Sequence, residues 1–549
     1  MSAEDRSLTL GMLRRLAAGR HAAAEVVAVR ESGDRDSLRL GEVVADAGAF
    51  AAGLQRLGVG VGDRVATLAW NVPEHLTAYW AVPGAGAVLL TLNARLPARQ
   101  LAEIVATATP RVLIVGTDLV PLAAEVLAAV DCIERVVVFG GPAAEEIPGA
   151  VAYADLIGAG EGFDWPELDE HMPAGLCFTS GTVGRPKGVL YSHRQLVLHA
   201  LTMAAFDPYG LPGSDRVLAV VPMFHAMGWN LPYITAMNGA ALILPGRRLA
   251  PEHLVPLIRS EAVTFSSGVP TVWADVRRHV DRVGGDLGSL RAIGCGGNRV
   301  PDELMHWYQD RGVTVLQGWG MTETGPGGSR VFDDPSLEPD ERWRRRSTVG
   351  WLRPLYEARL RAPDGTLAPC DGEAVGEVEV RGPLVVREYY GDPEDAAERF
   401  RDGWLRTGDL GTIDAAGWLK LVDREKDVIK SGGEWISSLD VEEALLRHPA
   451  VAAAAVIGIE DDRWIERPCA CVVIAAEAAA DAAELRAFLL EQLPRWWVPE
   501  TFARVAELPR TGVGKIDKRA LRARYESGDL AVESIAAAPE KEDRDASEP

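Results

Sequence analysis

The sequence predicts an α/β protein: a large N-terminal domain of parallel and mixed sheets with helices, a small β-rich subdomain, and a small mobile α+β C-terminal domain. Three observations carry this. Apolar strand-like runs alternate with segments of helical periodicity from Leu38 to about residue 330, the rhythm of βα units on a largely parallel sheet. From about Pro369 the texture changes to short strands of alternating polarity, as in 376–382. Beyond Arg424 the chain is long enough for a separate small domain. The expected divisions are 1–423, 424–526 and a disordered acidic tail over 527–549, where Ala, Glu and Asp dominate and large apolar residues are few.

At 549 residues, 47% of them hydrophobic, the chain is too long for one core. Its 79 acidic and 57 basic residues give a formal net charge of −22, which argues against a nucleic-acid-binding surface over most of the chain. An anionic ligand must therefore be met by local cations. The six cysteines are scattered except for Cys469 and Cys471, which share an apolar strand-like run and are not spaced as metal ligands. A reducing, cytoplasmic setting follows. Glu4, Asp5, Arg6, Arg14 and Arg15 interrupt the first twenty positions, so no signal-peptide core is expected, nor is stable membrane insertion.

In order, Leu38 to Gly58 is a helix, and the glycine-rich turn 58–63 feeds a strand at 64–68. The GxGxG spacing of that turn precedes a strand, so it is a tight turn and not a dinucleotide fingerprint. Pro73 opens another helix, and Val88-Leu89-Leu90 and Val112-Leu113-Ile114-Val115 are strands. Leu176-Cys177-Phe178 is a strand leading into Thr179-Ser180-Gly181-Thr182-Val183-Gly184-Arg185-Pro186-Lys187-Gly188. Glycines let backbone N–H groups approach an anion, hydroxyls can donate to phosphate or reach Mg²⁺, and Lys187 supplies a point charge. A Walker loop would need Gly-Lys-Ser/Thr, and Lys187 instead lies between Pro186 and Gly188.

Val220-Val221 is expected to be a strand running into Phe224, His225 and, further on, Trp229; a lone His is more often structural than catalytic. Ile293 to Asn298 is a strand followed by glycines, suited to a flat ligand lying against backbone. Gln317-Gly318-Trp319-Gly320-Met321-Thr322-Glu323-Thr324 combines an aromatic able to stack on adenine, a hydroxyl, and a carboxylate fit to hold Mg²⁺. Trp404 to Leu410 ends the β-rich region with Asp409, a carboxylate able to accept from ribose hydroxyls. The charged run 422–435 reads as a linker or hinge because of its Gly432-Gly433 pair, the alternative being a solvated charged turn, and Lys515 sits on a glycine-rich tip.

The ordered set at 179–188, 220–229, 317–324, 406–410 and 423–435, with Lys515, resembles the motifs of the adenylate-forming superfamily. Stretches 224–233 and 429–438 are most similar to its medium- and long-chain fatty acyl-CoA synthetase branch. The resemblance implies an AMP-forming ligase that uses Mg²⁺ and ATP to make an acyl-AMP from a small carboxylic acid, then transfers the acyl group to coenzyme A. It implies catalytic roles for Lys515, Glu323, Thr179 and His225, with Thr179 and Glu323 holding Mg²⁺. ATP and AMP would meet Thr179, Ser180, Gly181, Thr182, Gly184 and Lys187. They would also meet Gly297, Gln317, Gly318, Trp319, Thr322, Asp409, Arg424, Lys426, Lys430 and Lys515. Ala226, Trp229, Arg299, Gly432, Gly433, Glu434 and Trp435 would line the acyl and CoA channel, and Asp423 would be the hinge. A homodimer is compatible with this. The alternative acceptor is a carrier protein.

Three positions depart from the family pattern: Val183 replaces a hydroxyl, Arg299 a small residue beside the acyl pocket, and Trp319 the commoner Tyr. A guanidinium is costly to bury unpaired, so Arg299 should shorten the pocket or pair with a polar group on the acyl chain. The expected substrate is a medium-length chain of about six to twelve carbons, each buried CH₂ adding about 0.8 kcal/mol until the pocket ends.

Overall fold

The structure, a computed structural model, describes residues 7–535 apart from 31, 142–145, 159–161, 180–185, 205–210, 326, 332–333, 335, 393–396, 432–433, 476–477 and 513. It is the mixed α/β architecture expected. The chain divides into two compact units: Met1–Thr407, Gly411–Leu421 and the tip Gly512–Lys515 form the first, while Gly408–Leu410, Val422–Thr511 and Ile516–Pro549 form the second.

Two seven-stranded sheets build most of the first unit. One runs in the order Thr314–Gly318, Ala292–Gly296, Phe265–Gly268, Arg216–Leu218, Ala241–Leu244, Glu25–Val29, Arg35–Arg39. The other runs Val151–Ala152, Arg135–Phe139, Val112–Gly116, Arg64–Leu68, Val88–Leu92, Pro173–Thr179, Lys187–Ser192. Each is parallel except for an antiparallel strand at one edge. Strands such as Val88–Leu92 are apolar on both faces because helices cover both sides. Leu40–Arg56 is the first long helix; Glu42 accepts from the Arg39 N–H at 2.6 Å and so satisfies an otherwise orphaned donor. Pro73–Gly84 is buried on every side, and its Tyr79 and Trp80 pack with Tyr233. An eight-stranded sheet with antiparallel pairs, including Glu357–Arg361 with Gly376–Arg381, is the β-rich part.

The second unit holds a six-stranded sheet in which Val451–Asp461 and Ile465–Ile474 form a long antiparallel hairpin. Cys469 and Cys471 face an apolar cluster with Leu508, Leu521 and Leu530. Among the described residues no helix is long and apolar enough to cross a membrane.

Two expectations need correction. The strand before His225 ends at Leu218, not at Val221, because the Asn71 amide takes over the ladder groups. It donates to the Ala219 and Val221 carbonyls at 2.7 and 2.8 Å and accepts from the Met223 N–H at 2.7 Å. Residues 527–535 are folded, while 536–549 lie outside the described residues. Leu530 is buried, Ile535 packs against a second apolar cluster, and Val532–Ser534 is a strand paired with Thr501–Arg504.

Candidate active site

Antiparallel pairing of Pro173–Thr179 with Lys187–Ser192 places Thr179 opposite Lys187, one at each mouth of the loop between them. The loop's Ser180, Gly181, Thr182, Val183 and Gly184 lie outside the described residues, as do Gly432, Gly433 and the Glu434 side chain. The Lys187 ammonium lies 5.0 Å from the centroid of the Tyr389 ring, and the Tyr389 hydroxyl donates to Glu323 Oε1 at 2.7 Å. Burial, with Arg399 adding to it, holds the Lys187 ammonium below its ordinary range against the pull of Glu323. Burial pushes the Tyr389 phenol well up, and the Glu323 carboxylate adds to that, so the phenol is the donor in this pair. Cation, aromatic ring and carboxylate form one continuous chain. Tyr389 was not among the residues expected here.

The tip Gly512–Lys515 belongs to the first unit. Thr271 Oγ1 donates to the Gly514 carbonyl at 3.1 Å. Gly297 has φ +90°, and a Cβ there would stand 2.8 Å from Lys515 Cε, so a glycine is required both by its conformation and by the lysine laid over it. Burial, then the charges of Lys515 and Arg95, push the His225 imidazole down to about 3. His225 is therefore neutral near pH 7 and adds no positive charge beside Lys515.

After His225 the backbone turns left-handed over Ala226 to Asn230, with φ between +37° and +62°. Four of these five residues are not glycine, and each pays about 1 kcal/mol or more for that conformation. Packing holds the run. A Cβ on Gly175 would overlap Met227 Sδ at 2.2 Å, and one on Gly296 would meet the Trp229 ring at 3.3 Å. Ala226 and Met227 line a small cavity with Tyr191, Leu196, His199 and Leu384, about 280 Å³ of unfilled space with its openings included. Trp229 and Arg299, expected at the acyl channel, do not line this cavity.

Gln317 is the last but one residue of the strand Thr314–Gly318, but its side chain is spent on backbone. It accepts from the Val300 N–H at 2.6 Å and donates to the Thr348 carbonyl at 2.9 Å. It thereby fixes the segment carrying half-buried Arg299. Gly318 follows it on the strand, and its carbonyl oxygen would lie 3.1 Å from a Cβ at Gly296. Trp319 is 5% exposed in a cluster with Val349, Leu360 and Val380. Thr322 begins the short helical turn Thr322–Thr324, and its carbonyl accepts from Tyr191 at 2.6 Å.

In the second unit Arg424 Nε lies 2.6 Å from Asp409 Oδ1. Asp423 is buried: its carboxylate accepts from the Arg424 N–H at 2.7 Å and from the N–H and hydroxyl of Ser438 at 2.7 and 2.6 Å. Burial raises the Asp423 carboxyl, while the Lys518 charge and these donors pull it down. Burial lowers the Lys426 ammonium, and Lys430 is exposed opposite half-buried Trp435 on a hairpin.

A half-buried lysine on a buried phenol–carboxylate pair and a second lysine held over a glycine beside a neutral histidine define a site for anionic substrates. A family profile described as AMP-binding enzyme matches residues 14–390, and that of the AMP-binding enzyme C-terminal domain matches 440–515. The chain belongs to this family of AMP-binding enzymes, and it is a carboxylic acid–CoA ligase that works through an acyl-adenylate. It is 41% identical to a long-chain-fatty-acid–CoA ligase of Thermus thermophilus, over 95% of this chain and 96% of the relative. It is 38% identical to a medium-chain-fatty-acid–CoA ligase of Ectopseudomonas oleovorans, over 96% and 97%. The crystal structure of the anthranilate CoA ligase AuaEII in complex with anthranoyl-AMP superimposes with a TM-score of 0.86 at 26% identity, covering 96% of this chain and all of that one.

Proposed function

We propose that the enzyme activates a medium-length carboxylic acid and passes it to coenzyme A. A carboxylate oxygen of the acid attacks the α-phosphorus of ATP; the bond to the β-phosphate oxygen breaks and pyrophosphate leaves. The coenzyme A thiol, losing its proton, then attacks the acyl carbon and AMP departs. Lys515 supplies positive charge between carboxylate and α-phosphate, Lys187 meets the outgoing phosphates, and the paired Asp409 and Arg424 receive the ribose. Neither step needs a protein nucleophile, so positioning and charge neutralisation carry the rate.

The observation that supports this best is the Lys515 side chain laid over Gly297 beside neutral His225. A hard cation fits the donors present: buried Glu323 gives a carboxylate oxygen oriented by Tyr389, and Thr179 a hydroxyl at the loop mouth. Mg²⁺ bound there would neutralise phosphate charge. Asp423, two residues past the boundary between Leu421 and Val422, is the proposed pivot. All six cysteines are free thiols, which supports a reducing, cytoplasmic setting.

The proposed chain length is about six to twelve carbons, and the similarity to a medium-chain-fatty-acid–CoA ligase supports it. Pyrophosphate release and CoA-thioester formation across straight-chain and aromatic acids test this. A preference for sixteen carbons, or for aromatic acids, overturns the medium-chain reading. Adenylate formed without any CoA thioester points instead to a carrier-protein thiol.

A further inference from the structure

A second cluster of charge lies inside the second unit, centred on Lys518. Lys518 Nζ is 2.7 Å from Glu442 Oε1 and donates to the Ser438 hydroxyl at 2.6 Å. That hydroxyl donates in turn to Asp423 Oδ2 at 2.6 Å, and Glu442 Oε1 also accepts from the Val456 N–H at 2.8 Å. The Lys518 and Glu442 side chains are each only 12% exposed, and Ser438 is fully buried. An ion pair this buried adds little net stability over an apolar pair of the same size, so its geometry calls for a use beyond holding the fold.

That use lies in the chain on either side. Lys518 is the first residue of the helix Lys518–Glu526, capped by Asp517, which accepts from the Ala520 N–H at 3.1 Å. Asp517 N–H donates to the Pro509 carbonyl at 2.8 Å, and Arg510 pairs with Ile516. Arg510 and Ile516 thus meet at a neck, with Lys515 directly before Ile516 and Lys518 two residues beyond it.

We infer that Lys518 is a positioning residue for Lys515. Its bonds to Ser438 and Glu442 fix the base of the loop and join it to the carboxylate of Asp423. The orientation of the adenylating lysine and the proposed pivot are then set by one network. A long lysine side chain gains from a rigid base because misplacing a charge by about 1 Å can cost on the order of 100-fold in rate.

The inference rests on the role proposed for Lys515, and the experiment separates the two. Adenylation, read as pyrophosphate release, and thioester formation from preformed acyl-AMP are measured for Lys515→Ala, Lys518→Met, Lys518→Arg, Lys518→Met with Glu442→Gln, and Lys515→Ala with Lys518→Met. If Lys515→Ala does not separate the two half-reactions, the functional reading itself fails. If it does, Lys518→Met should lower adenylation about 10- to 100-fold while thioester formation stays within about twofold, and Lys518→Arg should recover most of the loss. In the Lys515→Ala background Lys518→Met should add less than about twofold, since both act through one group. The Lys518→Met, Glu442→Gln variant leaves no lone buried charge on this pair and carries the same expectation if Lys518→Met alone does not fold. Equal loss of both half-reactions, additive losses, unchanged adenylation, or failure of both Met variants to fold would each assign Lys518 to the fold and overturn the inference.

Discussion

Tyr389 donates its hydroxyl to Glu323 Oε1 at 2.7 Å while the Lys187 ammonium stands 5.0 Å from its ring centroid. One phenol therefore fixes a carboxylate and, through its π-face, a cation. Tyr389→Phe keeps the ring and the cation contact but removes the donor. A hydrogen bond to a charged group is worth about 1.5–3 kcal/mol, so adenylation should fall about tenfold or more and the Mg²⁺ requirement should rise. Glu323→Ala should do both more strongly. An Mg²⁺ titration unchanged in Tyr389→Phe would make the contact structural.

Lys515→Ala should suppress adenylation by several kcal/mol in the barrier while sparing thioester formation from preformed acyl-AMP, because the free carboxylate and the charge building at the attacked phosphorus belong to the first half-reaction. Single-turnover measurement of each half decides it. Equal loss in both halves would remove the lysine from the role.

Acid should destabilise this protein through its buried imidazoles. His75 bonds the Trp70 carbonyl at 3.0 Å and Thr67 at 3.1 Å, and burial pushes it down to about 4; burial does the same to His193. The folded state refuses a proton that the unfolded chain accepts below about 6.5, so this stability is fully present above pH 6.5 and is lost as pH falls toward 4. For His75 the loss is about 3 kcal/mol. Melting temperature should drop steeply from pH 6.5 to 4.5, and less steeply in His75→Gln. A flat profile for the parent protein would contradict the burial argument.

Gln317→Leu should cost about 1–3 kcal/mol, since it leaves the buried Val300 N–H and Thr348 carbonyl without a partner. Denaturant unfolding measures this. Loss of ATP affinity with unchanged stability would return Gln317 to direct nucleotide contact.

Much of the fold was legible in sequence because periodicity reports burial: strands at 64–68 and 88–92 and the helix from Pro73 are strong local patterns. The antiparallel edges were not, since nothing local in Arg35–Arg39 or Lys187–Ser192 states which neighbour it pairs with. Val220-Val221 misled for a related reason: β-branched residues suit a strand, but the Asn71 amide, from an element far earlier in the chain, intercepts their backbone. At the site, Lys187, Glu323 and Lys515 stand out by residue type beside glycines. Tyr389 does not, because its partner Glu323 is 66 residues away and tyrosines in β-rich segments are ordinary. Gln317 shows the opposite difficulty: a polar residue in a conspicuous motif whose amide serves the backbone.

The left-handed run from Ala226 to Asn230 limits how this enzyme could be re-engineered. Residues there choose the cavity wall, yet a β-branched side chain at any of them would add steric strain to a backbone already held in an unfavourable region. Gln195 is no easier to exchange, because it accepts from the Ser192 N–H at 3.0 Å to start the helix His193–Ala204. A library meant to widen substrate range should therefore vary Leu384, whose backbone is right-handed or extended, and leave the turn after His225 untouched.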